Sequence, residues 1–176
     1  MSFEQKASNI SLILSDVDGV LTDGGIIFDN EGIETKRFHI RDGLGIKLWQ
    51  RAERHFGIIT GRSSNVVQVR TQELGVGIVR QGFEEKLPIV REIISDLSLS
   101  SDQVCYIGDD LPDIPAMQHV GLPVAVADAA IDVRNVATYI TESLGGHGAV
   151  REVIERILRT QDRWAEAVRK FSSNAP

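Results

Sequence analysis

Short apolar runs of strand length alternate along this chain with amphipathic stretches of helix length. Candidate strands are Ser11 to Ser15, Phe56 to Ile59, Gly77 to Val79, Val104 to Ile107, Val124 to Val126 and Thr138 to Ile140. The periodicity predicts helices over Leu44 to Arg54, Asn65 to Leu74, Glu85 to Leu97, Ile114 to His119 and Ala130 to Asn135, and a longer one from Ala149 to about Phe171. Near-continuous apolar strands separated by helices describe a parallel sheet covered on both faces. The expected class is therefore a doubly wound, mostly parallel α/β fold. One stretch breaks the alternation. From Gly24 to His39 two short runs flank Asp29-Asn30-Glu31-Gly32, a turn composition that predicts a β-hairpin after strand one.

Composition narrows the class. At 176 residues and 42% hydrophobic, the chain has the length of one domain with a full core, and no linker divides it. Residues 1–176 are expected to form a single domain, with a glycine-rich loop and C-terminal helix over 145–171 and a frayed tail from Ser172 to Pro176. The 19 basic against 25 acidic residues leave a net charge of −6, which argues against sequence-independent nucleic-acid binding. A lone Cys105 in an apolar run reads as a small core residue. The polar start, Met1 to Asn9, and the lack of any run of ~18 apolar residues predict neither a signal peptide nor a membrane span, and the cytosol fits best.

Ligands of open α/β sheets sit beyond the carboxyl ends of the strands. There this sequence places Asp16-Val17-Asp18-Gly19-Val20-Leu21-Thr22, Thr60-Gly61-Arg62 and Gly108-Asp109-Asp110-Leu111-Pro112-Asp113. Any one of these acids serves equally well as a helix cap or turn former. Together they crowd carboxylates whose repulsion calls for protons or a cation. Oxygen ligands without a His or Cys cluster suit Mg²⁺.

These segments, with Ile58-Ile59 before Thr60 and with Lys86, resemble in order the four motifs of the haloacid dehalogenase superfamily of phosphatases. Phe38-His39-Ile40-Arg41-Asp42-Gly43 and Gly145-Gly146-His147-Gly148-Ala149-Val150-Arg151-Glu152 are similar to segments typical of one subgroup, the 3-deoxy-D-manno-octulosonate 8-phosphate phosphatases. The resemblance implies a capless enzyme in which Asp16 is the nucleophile and Asp18 the acid and base. Mg²⁺ would be held by Asp16, Asp109 and the Asp18 backbone carbonyl, with Asp110 and Asp113 holding its waters. Thr60, Gly61 and Lys86 would bind the phosphoryl group. A cationic lysine at a helix start opposes the helix dipole, so a phosphate and Asp16 would have to offset it. A sugar acid also carries a carboxylate, for which Arg62 and Arg70, eight residues apart on a regular helix, and the segment His39 to Gly43 are the candidate contacts. The resemblance further implies a homotetramer in which hairpins meet centrally. His147 departs from the subgroup's arginine and takes no assigned role, nor do His55 and His119. Val150, Val153, Ile154, Ile157, Leu158, Trp164 and Val168 read as core or subunit packing. Rival readings are a phosphatase of a nine-carbon nonulosonate 9-phosphate, against which Arg62 stands where those enzymes carry Glu, a receiver-like phospho-acceptor module, and a subunit kept for assembly.

Overall fold

A computed structural model describes residues 1–172, so the expected frayed tail lies outside the described residues from 173 onward. The core is a sheet of six parallel strands in the order β5-β4-β1-β6-β7-β8, with β1 Leu12–Ser15, β4 His55–Thr60, β5 Ile78–Gln81, β6 Val104–Gly108, β7 Leu122–Ala125 and β8 Tyr139–Ile140. All four residues of β1 and all five of β6 are buried, as the continuous apolar runs require of central strands. Right-handed crossovers place α2 (Ile40–Arg51) and α3 (Asn65–Leu74) on one face, joined by α1 (Phe3–Ala7) and α7 (Ala149–Thr160). The other face carries α4 (Lys86–Asp96), α5 (Ile114–His119) and α6 (Ile131–Val136). Trp49 on α2, Tyr106 on β6 and Met117 on α5 are among the largest fully buried side chains. Among the described residues no helix is long and apolar enough to cross a membrane.

The hairpin forms, but its paired strands are short: β2 Ile27–Phe28 and β3 Glu34–Thr35 are antiparallel, with Ile27 opposite Thr35. The Asp29 carboxylate closes its turn by accepting the Glu31 and Ile33 amides (2.9 and 2.8 Å), an Asx arrangement. Between β1 and β4 lie only this hairpin and α2, and only residues 82–85 separate β5 from α4, so neither connection holds a cap domain.

Three elements differ from expectation. The long C-terminal helix is two, α7 and α8 (Trp164–Ser172). Asp162 between them takes φ 56, while the Arg163 amide reaches back to Leu158 O (2.8 Å) and the Asp162 amide to Arg159 O (3.1 Å). This Schellman closure ends α7 without the glycine that would have announced it. Helix α2 begins at Ile40 rather than Leu44, because Asp42 in its first turn is buried and accepts the Arg151 amide at the start of α7 (2.7 Å). The short α1 was not anticipated. Its Ser2–Gln5 capping box and buried Phe3 and Ala7, four residues apart, are the local signal that marks it.

Candidate active site

The chain runs from β1 to β4 in one direction and from β6 to β7 in the other, so the crevice above β1 and β6 is the topological switch point of the sheet. Asp16 sits one residue past β1, yet its amide still bonds Ile107 O of β6 (3.0 Å), which holds it in sheet register. Its Oδ1 accepts the Val17 amide (2.7 Å) and its Oδ2 lies 3.0 Å from Lys86 Nζ. The chain then coils, with the Leu21 and Thr22 amides on Val17 O (2.9 and 3.0 Å), and Asp18 turns toward the same chamber. Gly19 takes φ +94, and a Cβ there would stand 2.1 Å from Asp109 Oδ2. No other residue leaves room for that carboxylate.

At the end of β6, Asp113 organises the loop. Its Oδ2 accepts the amides of Asp109 (3.0 Å) and Asp110 (3.3 Å), and its Oδ1 accepts from Lys86 Nζ (2.6 Å) and the Tyr106 hydroxyl (2.8 Å). Both oxygens of this fully buried carboxylate are engaged, which fixes the Lys86 ammonium between Asp113 and Asp16. Lys86 is the first residue of α4 and only 4% exposed. Thr60, the last residue of β4, is buried beside it in an open chamber of about 370 Å³ that Asp18, Arg62, Glu84 and Asp109 also line.

Carboxylate oxygens of Asp16, Asp109 and Asp113 lie within 4.8 Å of one another. Burial, then the neighbouring Asp113 charge, pushes the Asp16 carboxyl up to about 6. Burial, then Asp16 and Asp113, pushes Asp109 up to about 8. Burial alone would push the Lys86 ammonium down, but Asp16 and Asp113 outweigh it and the net shift is upward. With all three carboxylates ionised, one ammonium leaves an excess of two negative charges, the charge of one divalent cation. Asp109 Oδ1 is buried with no hydrogen-bond partner, as is Asp18 Oδ2. An orphaned carboxylate oxygen facing a crowded anionic cluster fits a hard cation with oxygen ligands. Asp113, with both oxygens already taken, is the member of the cluster least free to ligate.

Comparison with known proteins agrees with this chemistry. Residues 69–154 match the haloacid dehalogenase-like hydrolase family. The 3-deoxy-D-manno-octulosonate 8-phosphate phosphatase of Yersinia pestis is 45% identical over 159 residues, spanning 90% of this chain and 85% of the relative. The chain belongs to the haloacid dehalogenase-like hydrolases. A Moraxella catarrhalis phosphatase of the same name, solved in complex with magnesium ion, phosphate ion and KDO, superposes with a TM-score of 0.94 at 41% identity, over 96% of this chain and 97% of that one. The cobalt-bound Haemophilus influenzae enzyme gives a TM-score of 0.89 at 38% identity, over 92% and 94%.

Within this hydrolase fold, the structure gathers Asp16, Asp18, Thr60, Gly61, Arg62, Lys86, Asp109, Asp110 and Asp113 around one chamber. Asp110 is exposed and caps the 3₁₀ turn Leu111–Asp113 through the Leu111 amide (2.8 Å), the structural alternative that its position allowed. His39, Ile40, Arg41, Asp42, Gly43 and Arg70 do not line the chamber of their own chain. Arg62 precedes the Ser64 cap of α3, so it shares no helical face with Arg70, which instead pairs with Glu73 (2.8 Å) over the Phe38 ring. Gly43 is needed there, because a Cβ would meet Arg70 Nη2 at 2.3 Å. His147 is exposed and bonds its Nδ1 to Gly145 O (2.7 Å), away from the chamber. His55 is exposed, and His119, half-buried, lies 3.4 Å from Ser101 Oγ. Gly145 and Gly146 pack on the Gly19 to Asp23 loop so tightly that Cβ atoms would lie 1.8 Å from Gly19 O and 2.4 Å from Asp23 N.

Sequence reasoning missed Tyr106, Glu34 and Lys36. Tyr106 reads as core, and no pattern announces its hydroxyl on Asp113. Glu34 and Lys36 lie on the hairpin, where the only available signal was a charged residue at alternate positions of a strand otherwise exposed to solvent.

Proposed function

We propose that this chain hydrolyses 3-deoxy-D-manno-octulosonate 8-phosphate to the free sugar acid and phosphate, with Mg²⁺ as cofactor. The observation that carries this reading is the constellation at the switch point: Asp16 held by Lys86 beside the orphaned carboxylate of Asp109, with Asp18 at the mouth. Its support in the comparisons is the Moraxella relative with magnesium, phosphate and KDO.

Asp16 would attack phosphorus in line with the ester oxygen, the bond to the sugar oxygen would break, and Asp18 would protonate that oxygen as it leaves. A water then attacks the resulting aspartyl phosphate, Asp18 takes its proton, and Asp16 and inorganic phosphate are released. Two carboxylates thus divide the work of nucleophile and proton carrier. Lys86 and Thr60 supply donors for phosphoryl oxygens, since phosphoryl transfer depends mainly on positioning and charge. Asp113 acts through Lys86, which it holds against Asp16. Asp16, Asp109 and the Asp18 carbonyl would hold Mg²⁺, which when bound supplies Lewis-acid neutralisation of phosphoryl charge.

Arg62, which lines the chamber with its side chain 40% exposed, would be the cation for the substrate carboxylate. Arg70 and the His39 to Gly43 segment would reach a substrate only in the site of another subunit. A homotetramer provides that arrangement, and Ile26, Ile27, Phe28 and Ile33 on the hairpin, each about half exposed or more, present the apolar surface such an assembly would bury. The physiological setting in this reading is cytosolic synthesis of the lipopolysaccharide precursor sugar.

Phosphate release across a panel of eight- and nine-carbon keto-sugar acid phosphates, with EDTA and then with added Mg²⁺, tests it. The octulosonate ester should be the fastest substrate, chelator should abolish turnover, and Asp16→Asn should be inactive. Faster hydrolysis of a nonulosonate 9-phosphate would move the substrate assignment, and turnover by Asp16→Asn would remove it as nucleophile.

A further inference from the structure

The hairpin reaches into the site. Glu34 on β3 and Lys36 just beyond it alternate with exposed Thr35 and Arg37, so both inward positions of the returning arm carry charge. The Lys36 side chain is 1% exposed; its Nζ donates to Asp18 Oδ1 and lies 3.2 Å from Glu34 Oε1. Glu34 Oε1 also accepts from Arg62 Nη2 (3.0 Å), and its Oε2 accepts from Ser64 Oγ. A buried ammonium is tolerated only with such partners, and a strand serving assembly alone has no need of one. The consequence lies at Asp18. Lys36 engages Oδ1, while Oδ2 stays buried, unpartnered and 3.9 Å from the equally unpartnered Arg62 Nε. One oxygen of the carboxylate is locked by Lys36, and the other is left without a hydrogen-bond partner beside Arg62, in a residue that lines the chamber.

We propose that Lys36 is the positioning residue for Asp18: by clamping Oδ1 it presents Oδ2 to the leaving-group oxygen, and Glu34 holds the clamp against the Arg62 loop. This rests on the phosphatase reading above, in which Asp18 Oδ2–H gives its proton to the departing alkoxide. The hairpin is then part of the acid catalyst as well as an assembly surface.

A clamp that acts through the general acid matters where the leaving group needs a proton. The test compares kcat/KM for an alkyl ester, the sugar acid phosphate, with that for p-nitrophenyl phosphate, whose phenolate leaves unprotonated. Because kcat/KM covers only steps through departure of the leaving group, later hydrolysis of the acyl phosphate does not enter. Lys36→Met should lower kcat/KM for the alkyl ester by about 100-fold, in the range of general acid contributions, and for the aryl ester by less than about tenfold. Lys36→Arg should recover part of the alkyl activity, and adding Lys36→Met to Asp18→Asn should cause little further loss. Lys36→Gln replaces the methionine variant if circular dichroism shows that one unfolded. Equal losses on both esters, or an effect confined to KM, would overturn the proposal in favour of a latch or a substrate contact. A wild type that hydrolyses neither ester would instead defeat the phosphatase reading, and the clamp with it.

Discussion

Replacing Asp109 by asparagine should make the chelated protein more stable at pH 8, although it removes a residue of the site. In the folded chain this carboxyl titrates at about 8 instead of 3.8, because it is buried and faces Asp16 and Asp113. A raised folded-state value means that the native state binds more protons than the unfolded state between these limits, so metal-free stability falls as pH rises from about 4 to 8. At ~1.4 kcal/mol per pH unit the span sets a ceiling of roughly 5–6 kcal/mol on the strain of ionising Asp109 without a cation. The uncharged amide in the Asp109→Asn variant would recover most of it and lose ~1–3 kcal/mol through unmade hydrogen bonds in the same buried position. The net is a stabilisation of roughly 2–4 kcal/mol at pH 8, shrinking toward zero at pH 5, where the wild-type carboxyl is already protonated. Urea unfolding in EDTA at both pH values reads this directly. Mg²⁺ should close most of that gap, since saturation to about 100 times Kd adds ~2.7 kcal/mol to the wild type and little to the variant. A wild type whose chelated stability is flat or rising between pH 5 and 8, with a less stable variant at pH 8, would refute the argument that the cluster is electrostatically strained.

Lys86→Met leaves Asp16 and Asp113 buried without their cation and should destabilise the fold by ~3–5 kcal/mol near neutrality and less in acid; a loss below ~1 kcal/mol by urea titration would contradict the pairing. Gly145→Ala drives a Cβ against the Gly19 carbonyl and should cost ~1–3 kcal/mol while lowering kcat through the loop that carries Asp18. Gly77→Ala, which meets nothing within 4 Å, is the control and should be near neutral in both assays. Cys105 is fully buried and its thiol is pushed up by burial, so a thiol reagent should label it only as fast as the chain unfolds; rapid labelling in native buffer would show that β6 opens locally.

The fold class was readable from periodicity because central strands of a parallel sheet must be apolar on both faces, and Asp16, Thr60 and Asp109 follow such runs directly. Helix α3 could be placed at its ends because Ser64 and Gly75 are cap residues whose chemistry is local. The break after α7 escaped because Asp162 adopts the left-handed conformation without being glycine, and its reason is a set of backbone bonds to Arg159 and Leu158.

The chain alone therefore determined the layers and the identity of the acids at the strand ends, since each depends on neighbours in sequence. Only tertiary structure decided how those acids are partnered. Lys86 meets Asp16 and Asp113 from residues far apart in the chain, and Lys36 reaches Asp18 across the hairpin. Arg70 and the His39 to Gly43 segment, close in sequence to elements of the site, fold away from its chamber. The physical reason is range. Hydrophobic periodicity and capping act over one or two turns, whereas the desolvation and Coulomb energies that set a carboxylate's role depend on whichever groups the packed core brings within a few ångströms.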